Sequence, residues 1–202
     1  KMVVAQEYRD TLLARSLDGV TLSVAGVGMI GLAVAERARA LGMKILGYER
    51  SQESIDRAIQ RLGEGNIEFV VDEEVLLRRA DILTLHFDLN DSTQGWLNAR
   101  RLKLLVEGKG DRRVVIANAA RGPMVVEGDL LSFLGENKFV VMAADVRTDE
   151  SDNRDMRLEE LPSFIYTGHV ASAVPEVRRA MQILQFNNTV AILNGEMPQN
   201  PI

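Results

Sequence analysis

The stretch "VAGVGMIG", residues 24–31, decides the fold that this sequence predicts. Its glycines occupy positions 26, 28 and 31, and glycines spaced this closely cost backbone entropy. An apolar run precedes them, and a helical pattern of apolar side chains follows them until Gly42. In that setting a Gly-x-Gly-x-x-Gly sequence predicts a strand, a tight turn and a helix that begins at the turn.

The three glycines suit the binding of a dinucleotide. Gly26 would permit the tight turn, Gly28 would let a pyrophosphate approach the backbone, and Gly31 would let the helix pack closely on the strand. The N-terminus of the helix would offer free N–H groups and the positive end of its dipole to the phosphates. The alternative is a tight turn that binds nothing, but the order of strand, turn and helix favours a ligand.

An acidic residue strengthens this interpretation. Glu49 lies 18 residues after Gly31, at the tip of the next predicted strand. Its carboxylate could accept hydrogen bonds from both hydroxyls of a ribose, and its charge would repel a 2′-phosphate. Arg50 beside it could instead hold such a phosphate. Because the acidic residue occupies the expected ribose position, the sequence nevertheless favours NAD over NADP as the cofactor.

Along the rest of the chain, short apolar runs alternate with helical patterns. This alternation predicts βαβ units, and hence an α/β fold with a Rossmann-type doubly wound parallel sheet and helices on both faces. The predicted strands are residues 21–25, 44–48, 81–86, 113–117, 139–144 and 163–167. The predicted helices are residues 2–15, 30–41, 72–79, 98–105, 126–136 and a last long stretch from 175 to about 194. Residues 148–160, which are dense in charge, are predicted to form a surface loop.

Polar side chains fall where several predicted strands end, at the edge where ligands bind in sheets of this kind. They are His86, residues 118–121, Asp145 and His169. The chain has two histidines, and both lie at this edge. The clustering predicts a reaction centre.

His169 is the candidate general acid/base, because imidazole exchanges protons near neutral pH. A carboxylate beside it would fix its tautomer; Glu150 is the first candidate, and Asp149 and Asp152 are the alternatives. Arg121 offers a planar fork that binds a carboxylate through two hydrogen bonds. With a nicotinamide, these groups would form a hydride-transfer site for a 2-hydroxy or 2-oxo acid.

Plainer interpretations of the same residues remain open at this point. His86 could be a structural histidine, Arg121 a turn residue before Gly122, and Glu150 a solvated charge in the loop.

Composition narrows the class of protein. The net charge of −5 argues against nucleic acid or an anionic membrane as the main partner. The absence of cysteine excludes disulfides, thiolate catalysis and cysteine-based zinc sites, and no metal site is predicted. No apolar run is long enough to span a bilayer and no signal peptide is visible, so a cytoplasmic protein is expected.

Several segments together resemble the D-isomer-specific 2-hydroxyacid dehydrogenase family, from about residue 17 onward. They occur in the order that the family shows, which makes the resemblance more specific than the glycine motif. The segments are "SVAGVGMIGLAVAERARALGMKILGYER", "ADILTLHFDLNDSTQGWLNARRL", "VVIANAARGPMVVEGDLL", "AADV" and "YTGHVASAVPEVRRAMQILQFNNTVAILNGEMPQNPI".

The resemblance implies roles for particular residues. It implies a catalytic arginine at Arg121 from the A-R-G motif, the acid/base at His169 from the P-H motif, and the glutamate that orients it at Glu150. Cofactor contacts would include Met29 and Ile30 at the phosphates and Glu49 at the ribose. The remaining cofactor contacts would be His86, Thr93, Ala119, Arg121, Asp145 and His169, with Asp145 near the carboxamide.

The chain departs from the family pattern at several of these motifs. Arg147 stands where an aromatic residue usually follows D-V, and Ser151 stands where proline usually follows the glutamate. Gly168 replaces the usual proline before the histidine, and Asp88 replaces the proline after His86.

The resemblance also implies a domain organisation. Full-length members have two domains, and their substrate domain comes mainly from an N-terminal part that this sequence lacks. Residues 1–16 would be the remnant of a crossing helix, residues 17–174 the NAD-binding domain, and residues 175–202 a helix and tail that pack back toward the substrate domain.

Two kinds of function follow as expectations. The first is an NAD-dependent oxidoreductase that acts on a small D-2-hydroxy or 2-oxo acid and pairs as a homodimer through the NAD-binding domain. The second is a non-catalytic protein of the same fold that senses NAD(H) or serves in dimerisation. Exposed apolar side chains at Trp96, Leu97, Leu102 and Leu104 could support dimerisation, although ordinary helix core is the favoured interpretation of their spacing.

Overall fold

A computed structural model describes residues 16–199 of the chain. It contains one sheet of seven parallel strands in the order β3-β2-β1-β4-β5-β6-β7. The strands are β1 (Thr21–Ala25), β2 (Lys44–Tyr48), β3 (Glu68–Phe69), β4 (Ile82–Leu85), β5 (Val114–Asn118), β6 (Val140–Ala144) and β7 (Phe164–Tyr166). The helices are α1 (Met29–Ala40), α2 (Gln52–Leu62), α3 (Glu73–Arg79), α4 (Ala99–Val106), α5 (Glu127–Glu136) and α6 (Pro175–Leu193), with 3₁₀ turns at Gly122–Met124 and Met156–Leu158.

This topology confirms the predicted Rossmann-type doubly wound fold. The chain builds outward from β1 to β3, then crosses back to β4 and builds in the opposite direction. The order reverses between β1 and β4, and a crevice opens at such a reversal, outside the carboxyl ends of the strands.

Close packing between β1 and α1 explains two of the glycines. Gly26 has a φ of +92°, and a Cβ on it would lie 2.8 Å from the His86 carbonyl carbon and the Phe87 nitrogen. A Cβ on Gly31 would lie 2.0 Å from the carbonyl oxygen of Gly26. Only glycine therefore lets the first turn of α1 approach the end of β1 and β4 at this distance.

Alternating side chains of the strands fill a core on each face of the sheet. Leu22 and Val24 of β1 belong to the cluster that includes Leu32 of α1. Ala25 belongs to the larger cluster on the other face, which α3, α4 and α5 cover. On that face Ser23 is also buried, and its hydroxyl donates to the carbonyl of Leu76. Helices therefore pack on both faces, as predicted.

Two elements were not predicted, for different reasons. α2 has a clear helical signal, since the Ser51 hydroxyl caps the Ser54 N–H and Gly63 follows its last residue. The buried Ala58 and Leu62 lie on one side of this helix. β3 has two residues, which is too short for any pattern, and pairing with β2 alone defines it. The other predicted bounds that fall within the described residues agree with the structure to within about two residues.

The apolar residues proposed above as a dimer surface are core instead. Trp96, Leu97, Leu102 and Leu104 are all buried, packed among α3, α4 and the sheet. The favoured interpretation of their spacing as core is therefore confirmed, and the alternative of an exposed dimer surface is wrong. Any pairing of two chains must use other residues.

The C-terminal helix lies apart from both cores. None of the residues of α6 is buried among those described, and Val177, Met181 and Ile192 of its predicted apolar stripe are exposed. That α6 packs on a substrate domain therefore stays a prediction. The helix predicted over residues 2–15 lies outside the described residues, as does the tail from residue 200.

The glycine contacts yield a test of the α1 packing. Gly31→Ala should lower the free energy of unfolding by about 3 kcal/mol, because backbone must move to admit the methyl group. Gly28→Ala is the matched control: a Cβ there meets nothing within 4 Å, so its effect should stay within about 0.5 kcal/mol. Urea unfolding followed by the fluorescence of Trp96 measures both. Equal stability of the two variants would contradict the close approach.

Candidate functional site

The predicted site residues lie along one edge of the sheet, where they follow the carboxyl ends of its parallel strands. Backbone hydrogen bonds join neighbouring strand ends there, from the N–H of His86 to Ala25 and from the N–H of Asp145 to Asn118. The N–H of His169 donates in turn to the Asp145 carbonyl at 2.6 Å. These bonds fix the residues that follow each strand relative to one another.

A crevice of about 440 Å³ opens at the reversal point between β1 and β4. Seven of the predicted cofactor residues line it: Gly26, Gly28, Met29, Ile30, Glu49, His86 and Thr93. Gly31 is buried behind it. Residues outside the predicted set of cofactor contacts complete the lining: Arg50, Ser51, Ser54, Phe87, Asp88 and Asn90. Most flank a predicted residue in the same loop, and that proximity is the signal that could have found them.

The start of α1 is open to a ligand. No side chain caps this helix, and Met29 and Ile30 in its first turn are 67% and 70% exposed. Free N–H groups and the helix dipole favour an anion at such an end. The structure therefore leaves open the helix end at which the glycine motif predicts a pyrophosphate.

Glu49 joins two walls of the crevice. Its Oε2 accepts from the Val27 N–H in the glycine turn at 2.9 Å. Its Oε1 accepts from the N–H groups of Arg50 and Ser51 at 2.8 and 2.9 Å. The carboxylate thus has a structural role as well as the position expected for a ribose contact.

Arg50 reaches across the mouth of the crevice. Its Nη2 donates to the hydroxyl of Ser92 at 3.2 Å, in the loop that follows β4. In that loop the Thr93 hydroxyl donates to the Asp88 carbonyl at 2.6 Å and accepts from the Asn90 N–H at 2.9 Å. Thr93 is buried, so it shapes the wall of the crevice mainly by holding the loop.

His86 forms part of the crevice wall near β4. Its Nε2 lies 2.9 Å from the hydroxyl of Thr84. Burial lowers the pKa of His86 to about 4, so the ring is neutral at neutral pH. His86 and His169 follow β4 and β7, three strand spacings apart, or roughly 14 Å. The two histidines therefore serve different halves of the edge.

The turn after β5 presents Arg121. The side-chain amide of Asn118 donates to the Arg121 carbonyl at 3.0 Å and accepts from the Ala120 N–H at 3.0 Å. Ala119 and Arg121 are exposed at the rim of the sheet. Among the described residues the guanidinium of Arg121 makes no ion pair, and its Nη1 donates to the Ala120 carbonyl. It is available to an anionic ligand.

Asp145 holds the turn that carries His169. Its buried carboxylate accepts from the Thr167 hydroxyl at 2.5 Å and from the N–H groups of Val170 and Ala171 at 2.9 Å. Burial opposes ionisation, but these hydrogen bonds outweigh it and keep the pKa of Asp145 below its usual value. Asp145, which the resemblance places near the carboxamide of the cofactor, thus also anchors the residues that follow β7.

His169 and Glu150 form a pair. The Nδ1 of His169 lies 2.8 Å from the Oε2 of Glu150, and both side chains are partly exposed. His169 has a φ of +60°, uncommon for a residue other than glycine, and such strain is frequent at functional sites. Of the three acids considered from the sequence, Glu150 is the one that contacts the ring. Asp149 instead accepts from the Ser151 N–H.

Residues 1–171 match the family described as "D-isomer specific 2-hydroxyacid dehydrogenase, NAD binding domain". The chain belongs to this family. It is 33% identical to a glyoxylate reductase of Aeropyrum pernix over 94% of the chain and 53% of that protein. It is 32% identical to a hydroxypyruvate reductase of Blautia hydrogenotrophica over 89% of the chain and 52% of that protein.

Solved structures show the same relationship. A D-lactate dehydrogenase with NAD+ from Lactobacillus jensenii superposes with a TM-score of 0.77 at 25% identity, over 96% of this chain and 58% of that one. The family and this similarity establish NAD as the cofactor of this domain. The chain spans about half the length of the curated relatives it matches.

Two properties of residues 16–199 concern other classes of site. No helix in that range combines the length and the apolar character needed to cross a bilayer. Within the same residues, no group of three or more acidic or histidine side chains could hold a metal ion.

Burial of His86 yields a pH prediction. The unfolded chain takes up a proton at this residue near pH 6.5, whereas the folded state does so only near pH 4. The free energy of unfolding should therefore fall by about 2 kcal/mol from pH 7 to pH 5 on account of this group.

Urea unfolding of the native chain and His86→Gln at both pH values checks this effect. Glutamine can still bond to Thr84 but takes up no proton, so the variant should lose about 2 kcal/mol less between pH 7 and pH 5. The same pH dependence in both proteins would show that His86 titrates normally.

Proposed function

We propose that the protein containing this chain is an NAD-dependent D-2-hydroxyacid dehydrogenase that interconverts a D-2-hydroxy acid and its 2-oxo acid. The observation that carries the proposal is the His169–Glu150 pair at 2.8 Å. It lies at the edge of the sheet that also presents Arg121 and the crevice. A protein that only binds the cofactor would not require a histidine–carboxylate pair at this place.

His169 is proposed to be the general acid/base. Its Nδ1–H donates to Glu150, which leaves Nε2 to exchange a proton with the substrate oxygen. The carboxylate of Glu150 stabilises the ring when it carries a second proton. His169 gives up this proton in reduction and takes it in oxidation.

Arg121 is proposed to bind the substrate. Its exposed guanidinium can hold a carboxylate through two parallel hydrogen bonds. A substrate held in this way has its 2-oxo or 2-hydroxy group beside the clamp. Binding by Arg121 would thus place the reacting carbon near His169.

NAD fits the residues of the crevice. The open N-terminus of α1 would hold the pyrophosphate, and Glu49 would accept hydrogen bonds from the ribose hydroxyls. The nicotinamide supplies or accepts the hydride that changes the oxidation state of the substrate carbon. The charge of Glu49 disfavours the 2′-phosphate of NADP, and Arg50 is engaged with Ser92. We therefore expect tighter binding of NADH than of NADPH.

Small 2-oxo acids are the proposed substrates. The relatives described above include a glyoxylate reductase and a hydroxypyruvate reductase. Calorimetry with NADH and NADPH on this chain tests the crevice first. The protein of the complete reading frame is then offered glyoxylate, hydroxypyruvate and pyruvate, with NADH absorbance at 340 nm as the readout. Binding without oxidation of NADH on any of these acids would support the non-catalytic NAD(H)-sensing alternative instead.

The roles of the pair lead to a mutational prediction. His169→Ala should lower kcat on the order of 10²–10⁴-fold, since proton transfer is lost, while the affinity for NADH should stay unchanged. Glu150→Gln should lower kcat less, and Asp152→Asn, an exposed acid of the same loop, is the matched control. If His169→Ala kept most of its kcat, the assigned role would be wrong.

Homodimerisation through this domain remains a prediction from the resemblance, and a cytoplasmic location remains a prediction from the sequence. Trp96, Leu97, Leu102 and Leu104 are unavailable to the dimer because they are buried. Light scattering on the purified protein measures its oligomeric state directly.

A further inference from the structure

Arg147 is a charged residue in a buried position. Its side chain is 2% exposed, and it follows the end of β6. Its Nε and Nη2 donate to the two carboxylate oxygens of Glu127 at 3.0 and 2.8 Å, and its Nη1 donates to Glu159 at 2.8 Å. Glu159 also accepts two hydrogen bonds from Arg154. These four residues, Glu127, Arg147, Glu159 and Arg154, form the Arg147 network.

The charges in this network are matched. Burial opposes ionisation of Glu127, but hydrogen bonds from Arg147 and Thr148 keep the pKa of Glu127 below its usual value. A buried ion pair with several hydrogen bonds resists separation, since removal of one partner leaves the other uncompensated. The network therefore anchors a region that otherwise consists of exposed loop.

The network fixes both ends of the segment 148–154. At one end the Thr148 N–H donates to Glu127 at 2.9 Å. At the other end Arg154 pairs with Glu159 and also donates to the Ser151 carbonyl at 3.1 Å. Glu150 lies between these two anchors, so its backbone position depends on the network.

Arg147 also contacts two parts of the candidate site directly. Its backbone N–H donates to Oε1 of Glu150 at 3.2 Å, while Oε2 of the same carboxylate contacts His169. Gly122, next to Arg121, packs so closely on Arg147 that a Cβ there would lie 2.0 Å from the Arg147 carbonyl. One buried residue thus adjoins the backbone of Arg121 and holds the partner of His169.

We propose that Arg147 is a positioning residue for the acid/base pair: its buried bonds to Glu127 and Glu159 hold Glu150 against Nδ1 of His169. The effect of Arg147 on catalysis rests on the function proposed above. Its effect on the tautomer of His169 does not depend on that function. A ring that donates from Nδ1 to Glu150 keeps Nε2 free for the substrate oxygen, and a loosened Glu150 no longer selects that tautomer.

The tautomer is measurable in the full 202-residue chain without substrate. The chain contains two histidines, so the ¹⁵N chemical shifts of the ring nitrogens of His169 and His86 can be assigned with the variant His86→Gln. Glu150→Ala gives the shifts of His169 without its partner. Arg147→Met removes the guanidinium and keeps a long side chain. Arg157→Met is the matched control, since Arg157 is 70% exposed in the 3₁₀ turn that follows the segment 148–154 and forms an ion pair only with Asp155 among the described residues.

We expect Arg147→Met to change the ¹⁵N chemical shifts of the His169 ring toward those measured in Glu150→Ala. Arg147→Lys should change these shifts less. Arg157→Met should leave them at their native values, and His86 should not respond. If Arg147→Met proves unfolded by Trp96 fluorescence, Glu127→Gln tests the same link, since it removes the charge and keeps the volume. Native His169 shifts in a folded Arg147→Met or Glu127→Gln variant would overturn the proposal.

Kinetics of the complete protein provide a second readout. Arg147→Met should lower kcat on the order of 10²-fold through misplacement of the pair, with KM for NADH unchanged and partial recovery in Arg147→Lys. A variant that raised KM for NADH and kept kcat would contradict the positioning role. Absence of turnover in the native protein would contradict the proposed function alone, because the ring-nitrogen shifts need no turnover.

Discussion

The close approach of α1 to the end of β1 is the constraint on which the rest of the site depends. Gly31 touches the carbonyl of Gly26 at a distance that no side chain could share. Because the backbones meet there, the uncapped first turn of α1 opens directly into the crevice between β1 and β4. Glu49 then ties the glycine turn to β2, and His86 joins β4 to β1. The cofactor half of the edge is thus held mainly by backbone contacts.

The other half of the edge depends on buried charge. The carboxylate of Asp145 accepts hydrogen bonds from N–H groups of the turn that carries His169. Arg147 forms ion pairs with Glu127 and Glu159 next to the loop that carries Glu150. Backbone packing alone would leave this loop free, since most of its residues are exposed. The charged contacts thus anchor the loop that brings Glu150 to His169.

The sequence was most informative where a pattern is local. The tight glycine turn, the strand β1 and the order of alternating elements could be predicted, and the structure agrees with them. β3 could not be predicted, because two residues carry no periodicity and only pairing with β2 defines them. Trp96 and its apolar neighbours show the same limit, since their spacing fitted either core or interface and only their burial in the larger core cluster decided between the two.

The sequence by itself determined the family, the fold class and the cofactor, because these follow from short motifs in fixed order. It also supplied the candidate residues Arg121, Glu150 and His169. Only the tertiary structure decided that Glu150, and neither Asp149 nor Asp152, contacts His169, and that Arg147 is buried between two glutamates. Both outcomes depend on which residues meet across distant parts of the chain. Hydrogen bonds and desolvation act over a few ångströms in space, so spacing along the sequence does not reveal them.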